Sequence, residues 1–358
     1  MSREYTSDLI DVLQNDCRRV NVDGLEVVVK PVPDDEREGV VDPRVFASAQ
    51  KTAAGTAASM PPSLTSLLGM RRRPLKADND LVSSDIVFNE FLVDADDHLI
   101  NVYTWEPATR TRPSAVLFYL HGGGFTSGDV TQYRRALAYI AEQADALVVF
   151  PEYRLSPEAR FPLAIEDCLT CIRHISSHAG EYGIDLARLI VAGDSAGGSL
   201  TNACILELPK GAFAAAVELY PLTDAGPESE SWSYDRYFAI PEHAEVARGR
   251  VDRLRGSQDM LGVMYTADAD KLLDPKISAM YATTEQLAAF PPTTVVSAEY
   301  DYLRIQDEQF AKKLQDAGAT VTAIRYAGCD HGFFEWPGVR PQTEDAALEI
   351  AKIIRATA

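Results

Sequence analysis

The stretch that decides the fold reads Val191-Ala192-Gly193-Asp194-Ser195-Ala196-Gly197-Gly198. The run Leu189-Ile190-Val191-Ala192 entering it has the composition of a strand buried on both faces. Residues 196–207 after it carry helical periodicity. A serine between glycines at a strand-to-helix junction is the G-x-S-x-G elbow, in which small neighbours permit the tight turn that exposes the hydroxyl. The helix starting there adds unpaired N–H groups and a partial positive charge beside the reacting oxygen. Ser195 is therefore read as a nucleophile, Gly193 and Gly197 as the residues that allow the turn, and Asp194 as a brace for the elbow. A bare G-x-S-x-G recurs by chance, and a glycine-rich turn with a structural serine is the plain alternative. The position between strand and helix favours the elbow.

Further apolar runs lie on either side: Ala115-Val116-Leu117-Phe118-Tyr119-Leu120, Ala146-Leu147-Val148-Val149-Phe150, Ala215-Ala216-Val217-Glu218-Leu219-Tyr220, Thr293-Thr294-Val295-Val296-Ser297 and Thr320-Val321-Thr322-Ala323-Ile324-Arg325-Tyr326. Helix-period segments at 133–143, 162–178, 305–317 and 343–356 separate them. Strands alternating with helices predict an α/β fold, a mostly parallel central sheet with helices on both faces. Ahead of it, 85–91 and 99–105 flank Asp94-Ala95-Asp96-Asp97 as an antiparallel hairpin. The alternation lapses at 223–281, an acidic, helix-prone stretch with Trp232, Tyr234, Tyr237 and Phe238. It is absent from 1–80, where small residues at 47–60, Pro61-Pro62 and a short helix ending at Arg71-Arg72-Arg73 suggest helices and connectors. The arginine run reads as a solvated helix end. The expected organisation is an N-terminal cap segment (1–80), a catalytic domain (81–222 and 282–358) and a cap insertion (223–281), the cap being mainly helical.

A second motif, His121-Gly122-Gly123-Gly124-Phe125, follows directly on the strand ending at Leu120. Consecutive glycines let backbone N–H groups converge on a substrate oxygen. Such donors stabilise a tetrahedral oxyanion by about 3–4 kcal/mol each. Gly123 and Gly124 are assigned as donors, with Ala196 as the third, while His121 at the strand end fixes the loop. Among the six histidines, His98 falls in the hairpin turn as a solvated residue. His174 and His178 form an i, i+4 pair on a helix, and His243 sits in the insertion. His331, in Gly328-Cys329-Asp330-His331-Gly332-Phe333, follows the last strand at the sheet's carboxyl edge, where a base reaches such a nucleophile. The orienting acid should precede it. Asp301 and Glu299 are placed on one side of their strand by alternation, so periodicity does not choose between them, while Asp330 adjoins the base and is less well placed to face its ring.

Composition narrows the classes. The chain has 358 residues, 46% hydrophobic and 24% charged, an ordinary balance for a globular protein with a sizeable core. A net charge of −19 argues against nucleic acid, whose phosphates demand cationic partners. No run approaches the roughly 18 apolar residues of a membrane helix. The polar first residues lack a secretory pattern, so the expectation is a cytoplasmic protein. The five cysteines do not form a disulfide framework. Cys168 and Cys171 make a C-x-x-C inside an amphipathic helix, where buried thiols are expected instead of a redox pair. No Cys/His spacing suits zinc, and the chemistry requires no cofactor.

Jointly these residues resemble the hormone-sensitive-lipase-like family of α/β-hydrolases. The shared features are 121–125, Tyr153-Arg154-Leu155-Ser156-Pro157-Glu158 with Phe161-Pro162, 193–198, Ala298-Glu299-Tyr300-Asp301 with Leu303-Arg304, and His331-Gly332-Phe333. They occur in the family's order and cover 83–358. Two departures stand out: Tyr302 where proline is usual, and Ala159-Arg160 in place of His-Pro. The resemblance implies a carboxylesterase with Ser195, Asp301 and His331 as triad, oxyanion donors at Gly123, Gly124 and Ala196, and a cap from the N-terminal segment and the insertion after Pro221. It also implies a homodimer. The expected substrate is a small uncharged ester with a short acyl chain. An amidase, lactonase or deacetylase would use the same triad. A non-catalytic ligand receptor on the same scaffold would lack the histidine that is present here as His331.

Overall fold

A computed structural model describes residues 2–53, 64–72, 74–229 and 232–357. Ten strands form one sheet: β1 (Arg18–Val22), β2 (Leu25–Lys30), β3 (Ile86–Asp94), β4 (Leu99–Pro107), β5 (Ser114–Leu120), β6 (Leu147–Pro151), β7 (Ile184–Asp194), β8 (Ala215–Leu219), β9 (Thr293–Tyr300) and β10 (Val321–Asp330). Their order is β1-β2-β10-β9-β8-β7-β5-β6-β4-β3. The run from β2 to β6 is parallel, and the antiparallel pairings lie at the two ends.

Alternation along the central strands creates two cores. Val116, Phe118 and Leu120 face one, while Ala115, Leu117 and Tyr119 face the other. Before and beside the sheet come α1 (Asp8–Asn15), α2 (Pro43–Ala53), α3 (Leu64–Arg71), α4 (Val130–Ala144), α5 (Leu163–Ser177), α6 (Ala179–Tyr182) and α7 (Ala196–Glu207). The later helices are α8 (Ala244–Asp252), α9 (Gln258–Leu261), α10 (Thr284–Leu287), α11 (Arg304–Asp316) and α12 (Pro341–Ala356). Cys168, Leu200 and Phe310 bring α5, α7 and α11 to the first core; Ile10, Leu137 and Ile350 bring α1, α4 and α12 to the second. Ladder pairing between neighbouring strands of the parallel region satisfies their backbone groups, which is what allows both faces to be apolar.

The N-terminal segment differs from its reading. Residues 18–30 are not helix and connector but the β1–β2 hairpin, with β2 running parallel to β10. Its turn is Asp23-Gly24, both at positive φ (51° and 88°), the Asp-Gly signal of a two-residue hairpin. Val27 and Val29 on β2 are buried beside Leu25, with Glu26 exposed between them. The segment therefore adds two strands to the sheet as well as helices α1 to α3. The small-residue stretch 54–60, Pro61-Pro62 and Arg73 lie outside the described residues. The described residues of 223–281 hold α8, α9 and short helical turns and contribute no strand. No helix among the described residues is long and apolar enough to cross a membrane.

Candidate active site

β7 delivers Ser195 at its carboxyl end and α7 begins one residue later. Ser195 takes φ 56° and ψ −119°, a region that costs a non-glycine residue of order 1–3 kcal/mol. Gly197 is required by proximity, since a Cβ there would overlap the carbonyl oxygen of Leu120. The Ser195 N–H donates to the Leu219 carbonyl (2.9 Å), and its own carbonyl accepts from Gly198 (3.0 Å) and Leu222 (3.0 Å). The hydroxyl is thereby held beside the ends of β9 and β10.

Those ends bring the other two residues. His331 Nε2 lies 2.8 Å from Ser195 Oγ, and His331 Nδ1 lies 2.6 Å from Asp301 Oδ2. Asp301 is fully buried, and its Oδ1 accepts the Leu303 N–H at 3.0 Å. A carboxylate at Nδ1 fixes the proton there and leaves the Nε2 lone pair toward the hydroxyl. The Tyr220 ring meets the imidazole edge-on at 4.8 Å. The two rival acids are engaged elsewhere. Glu299 accepts from the Gly328 N–H at 2.8 Å, and Asp330 pairs with Arg340 at 2.6 Å.

The glycine loop lies against the elbow. Gly122 N–H donates to Asp194 Oδ1 at 2.8 Å, and Asp194 also accepts from the hydroxyls of Tyr119 (3.0 Å) and Tyr133 (3.1 Å). Asp194 thus links elbow and loop. Burial, reinforced by Glu335, pushes its carboxyl up to about 7. His121 is buried, with Nδ1 2.8 Å from the Gly122 carbonyl and its ring stacked on Tyr153 at 4.2 Å. Burial lowers its pKa to about 4, so it stays neutral, suited to fixing the loop and not to taking up a proton at neutral pH. Gly123 (φ 121°) and Gly124 (φ 62°) are left-handed, and Ala196 opens α7, where no intrahelical acceptor exists for its N–H.

The family model described as alpha/beta hydrolase fold matches residues 117–335, more than half of the chain. This protein belongs to the hormone-sensitive-lipase-like α/β-hydrolases. Esterase LipI of Mycobacterium tuberculosis is 32% identical to this α/β-hydrolase over 247 residues, covering 68% of this chain and 73% of LipI. An ethyl acetate hydrolase of Pseudomonas putida is 29% identical over 286 residues, covering 78% and 84%. An esterase structure from Rhizomucor miehei superposes with a TM-score of 0.74 at 26% identity, covering 90% of this chain and 98% of its own.

Two sequence readings of this α/β-hydrolase change, those of His98 and Arg71. His98 is no solvated turn residue: its Nε2 lies 3.0 Å from Oδ1 of the buried Asp167, which also holds Arg154. Arg71 is no solvated helix end. It donates to the carbonyls of Thr126 and Ser156, both at 2.8 Å, and to Glu158. His243 accepts the Val41 N–H at 2.9 Å. Of the aromatics in 223–281, Trp232 packs against Tyr234 (4.7 Å) and Tyr302 (5.5 Å), whereas Phe238 is exposed. Cys168 and Cys171 are buried on α5, and burial raises both thiols, which makes them poor redox groups. Sequence reasoning missed Tyr220 and Arg253, whose guanidinium donates to the His331 carbonyl at 2.7 Å. Neither sits in a motif, and nothing local in the sequence marks them.

Proposed function

We propose that this protein is a serine carboxylesterase that hydrolyses small, uncharged, short-acyl esters through an acyl-enzyme. The observation that carries the reading is the unbroken line from Ser195 Oγ through His331 to Asp301, with spacings of 2.8 and 2.6 Å, set beside the loop of Gly123 and Gly124. His331 Nε2 takes the proton of Ser195 as Oγ attacks the ester carbonyl. Asp301 holds the imidazole in place and stabilises the imidazolium without taking its proton. The N–H groups of Gly123, Gly124 and Ala196 receive the oxyanion, each worth about 3–4 kcal/mol in the transition state. His331 then protonates the departing alkoxide. A water, deprotonated by the same nitrogen, attacks the acyl carbon, and collapse of the second tetrahedral intermediate returns the proton to Ser195 and releases the acid.

Short acyl chains are favoured by the likeness to the Pseudomonas putida ethyl acetate hydrolase. On this reading the described residues of 223–281, with those of the N-terminal segment outside β1 and β2, make up a cap over the site. The contact that supports this is Tyr265, whose ring stacks on Phe125 of the glycine loop at 3.8 Å. Initial rates on p-nitrophenyl esters of increasing acyl length, run beside Ser195→Ala, test the proposal. The expected outcome is highest kcat/KM on the acetate or butyrate ester and loss of about 10⁶ in kcat for the variant. Turnover by a folded Ser195→Ala protein would refute it.

A further inference from the structure

The glycine loop has an intrinsic problem of shape. Gly123, Gly124 and Phe125 take φ values of 121°, 62° and 59° in succession, and three left-handed residues in a row are not held by local preference, least of all where two have no side chain. The orientation of the Gly124 N–H is set by the Gly123–Gly124 peptide plane, because the peptide unit is planar. That plane is gripped through the Gly123 carbonyl, which accepts from Thr126 N–H (3.2 Å), Ser127 N–H (3.1 Å) and the Ser127 hydroxyl (3.0 Å). Two residues on, the Phe125 carbonyl accepts the Ser156 N–H at 2.8 Å. Thr126 and Ser127 therefore hold the plane directly, the Ser127 N–H sharing a peptide unit with the Thr126 carbonyl, and Ser156 holds the loop just beyond it through Phe125. Of these residues, Thr126 and Ser156 are the two that present a carbonyl to a side chain from outside the loop.

Both are held by one guanidinium. From the end of α3, Arg71 Nε donates to the Thr126 carbonyl at 2.8 Å and Nη2 to the Ser156 carbonyl at 2.8 Å. The remaining edge forms a two-point pair with Glu158, Nη1 to Oε1 at 2.8 Å and Nη2 to Oε2 at 2.7 Å. The rigid planar fork carries these bonds in one fixed geometry, which a lysine ammonium cannot reproduce. We infer that Arg71 is a positioning residue for the oxyanion hole: a side chain of the N-terminal segment aims the Gly124 N–H by clamping Thr126 to Ser156. It touches no reacting atom and acts only through the loop. Lys76, farther along the same segment, grips the loop after His331 by pairing with Glu335 at 2.8 Å, so this stretch braces both sides of the nucleophile.

The inference rests on the esterase reading, and the test separates the two. The measurements are kcat and KM on p-nitrophenyl acetate, and the affinity of phenylboronic acid, whose tetrahedral serine adduct places an oxygen among the loop N–H groups. They are made on wild type, Ser195→Ala, Arg71→Ala and Arg71→Lys. Arg71→Ala should lower kcat between about 10- and 100-fold, less than outright removal of a donor, with KM within threefold and boronate affinity falling by a similar factor. Guanidinium ion at millimolar concentration should restore part of the kcat of Arg71→Ala and none of that of Ser195→Ala. Unchanged kcat in Arg71→Ala, a loss confined to KM, or a loss that spares boronate affinity would each overturn the inference while leaving the esterase reading standing. Turnover by Ser195→Ala would remove the reading itself. Should Arg71→Ala fail to fold, Arg71→Lys carries the test, because it keeps the charge and stem. A matched fall in kcat and boronate affinity supports the clamp, and wild-type values refute it.

Discussion

Replacing Asp194 by asparagine should flatten the protein's loss of stability between about pH 5 and pH 7. The Asp194 carboxyl has an ordinary value of 3.8 and stands at about 7 in the folded protein, raised first by burial and then by Glu335. Between those values the folded protein keeps a proton that the unfolded chain has released. Stability therefore falls as pH rises, by about 1.4 kcal/mol per unit until the folded group itself ionises. From about pH 5 to pH 7 the loss is about 2 kcal/mol, since the group is half ionised at the upper end. The hydrogen bonds from Gly122, Tyr119 and Tyr133 act in the opposite direction but do not offset the burial. An asparagine keeps an acceptor for the Gly122 N–H and has no proton to lose. His121, lowered to about 4 by burial, makes stability rise with pH over part of the same window, but it is common to both proteins and cancels in the difference. Urea unfolding at several pH values, followed by tryptophan fluorescence, gives the two curves. The variant should gain on wild type by about 2 kcal/mol across the window. Parallel curves would refute the reasoning, because they would mean that Asp194 ionises freely in the folded state.

Two further outcomes follow from the same geometry. Asp301→Asn should lower kcat by about 10⁴ with KM changed only a few-fold, because the amide favours the wrong imidazole tautomer; steady-state rates on p-nitrophenyl acetate check it, and a kcat within tenfold of wild type would contradict the assigned role. Glu218, buried beside Asn202 (3.0 Å), is pushed up to about 8 by burial, so its contribution is lost as pH rises through that value. Glu218→Gln should stabilise the protein relative to wild type more at pH 9 than at pH 6, read as the difference in urea midpoints at the two pH values.

The central sheet was legible because its strands are apolar on both faces, and a continuous run such as 115–120 has few other uses. β1 and β2 were not, although Asp23-Gly24 between Val20-Asn21-Val22 and Leu25-Glu26-Val27 carries a hairpin signal: β1 is a polar strand at the sheet edge, and the apolar run of β2 stands apart from the strand–helix alternation that marked the others. The elbow and the glycine loop were legible as local motifs, since each needs particular residues at fixed spacing. The acid was not separable by pattern: Glu299 and Asp301 share one side of β9 by alternation, and only the positions of Gly328 and His331 distinguish their partners. Arg71 was misread for a related reason. Two of its partners are backbone carbonyls 55 and 85 residues away, and a carbonyl leaves no trace in residue identity; the third, Glu158, is 87 residues away.

The strain at Ser195 explains why such distant contacts are needed. A serine at φ 56° and ψ −119° costs of order 1–3 kcal/mol and persists only where its surroundings over-determine it. Here the Leu219 carbonyl fixes its N–H, Gly198 and Leu222 fix its carbonyl, and Asp194 next to it is held by two buried tyrosines and the Gly122 N–H. The last of these bonds means that the elbow and the glycine loop cannot shift independently, because one carboxylate is fastened to both. The far side of the loop is tied down by the Ser156 N–H on the Phe125 carbonyl, and Arg71 from α3 fastens Thr126 to that same Ser156. The alignment of donors with the nucleophile therefore depends on two attachments of different origin, one built into the elbow and one delivered by the N-terminal segment. Damage to the second should lower the rate while leaving the Ser195–His331–Asp301 line in place.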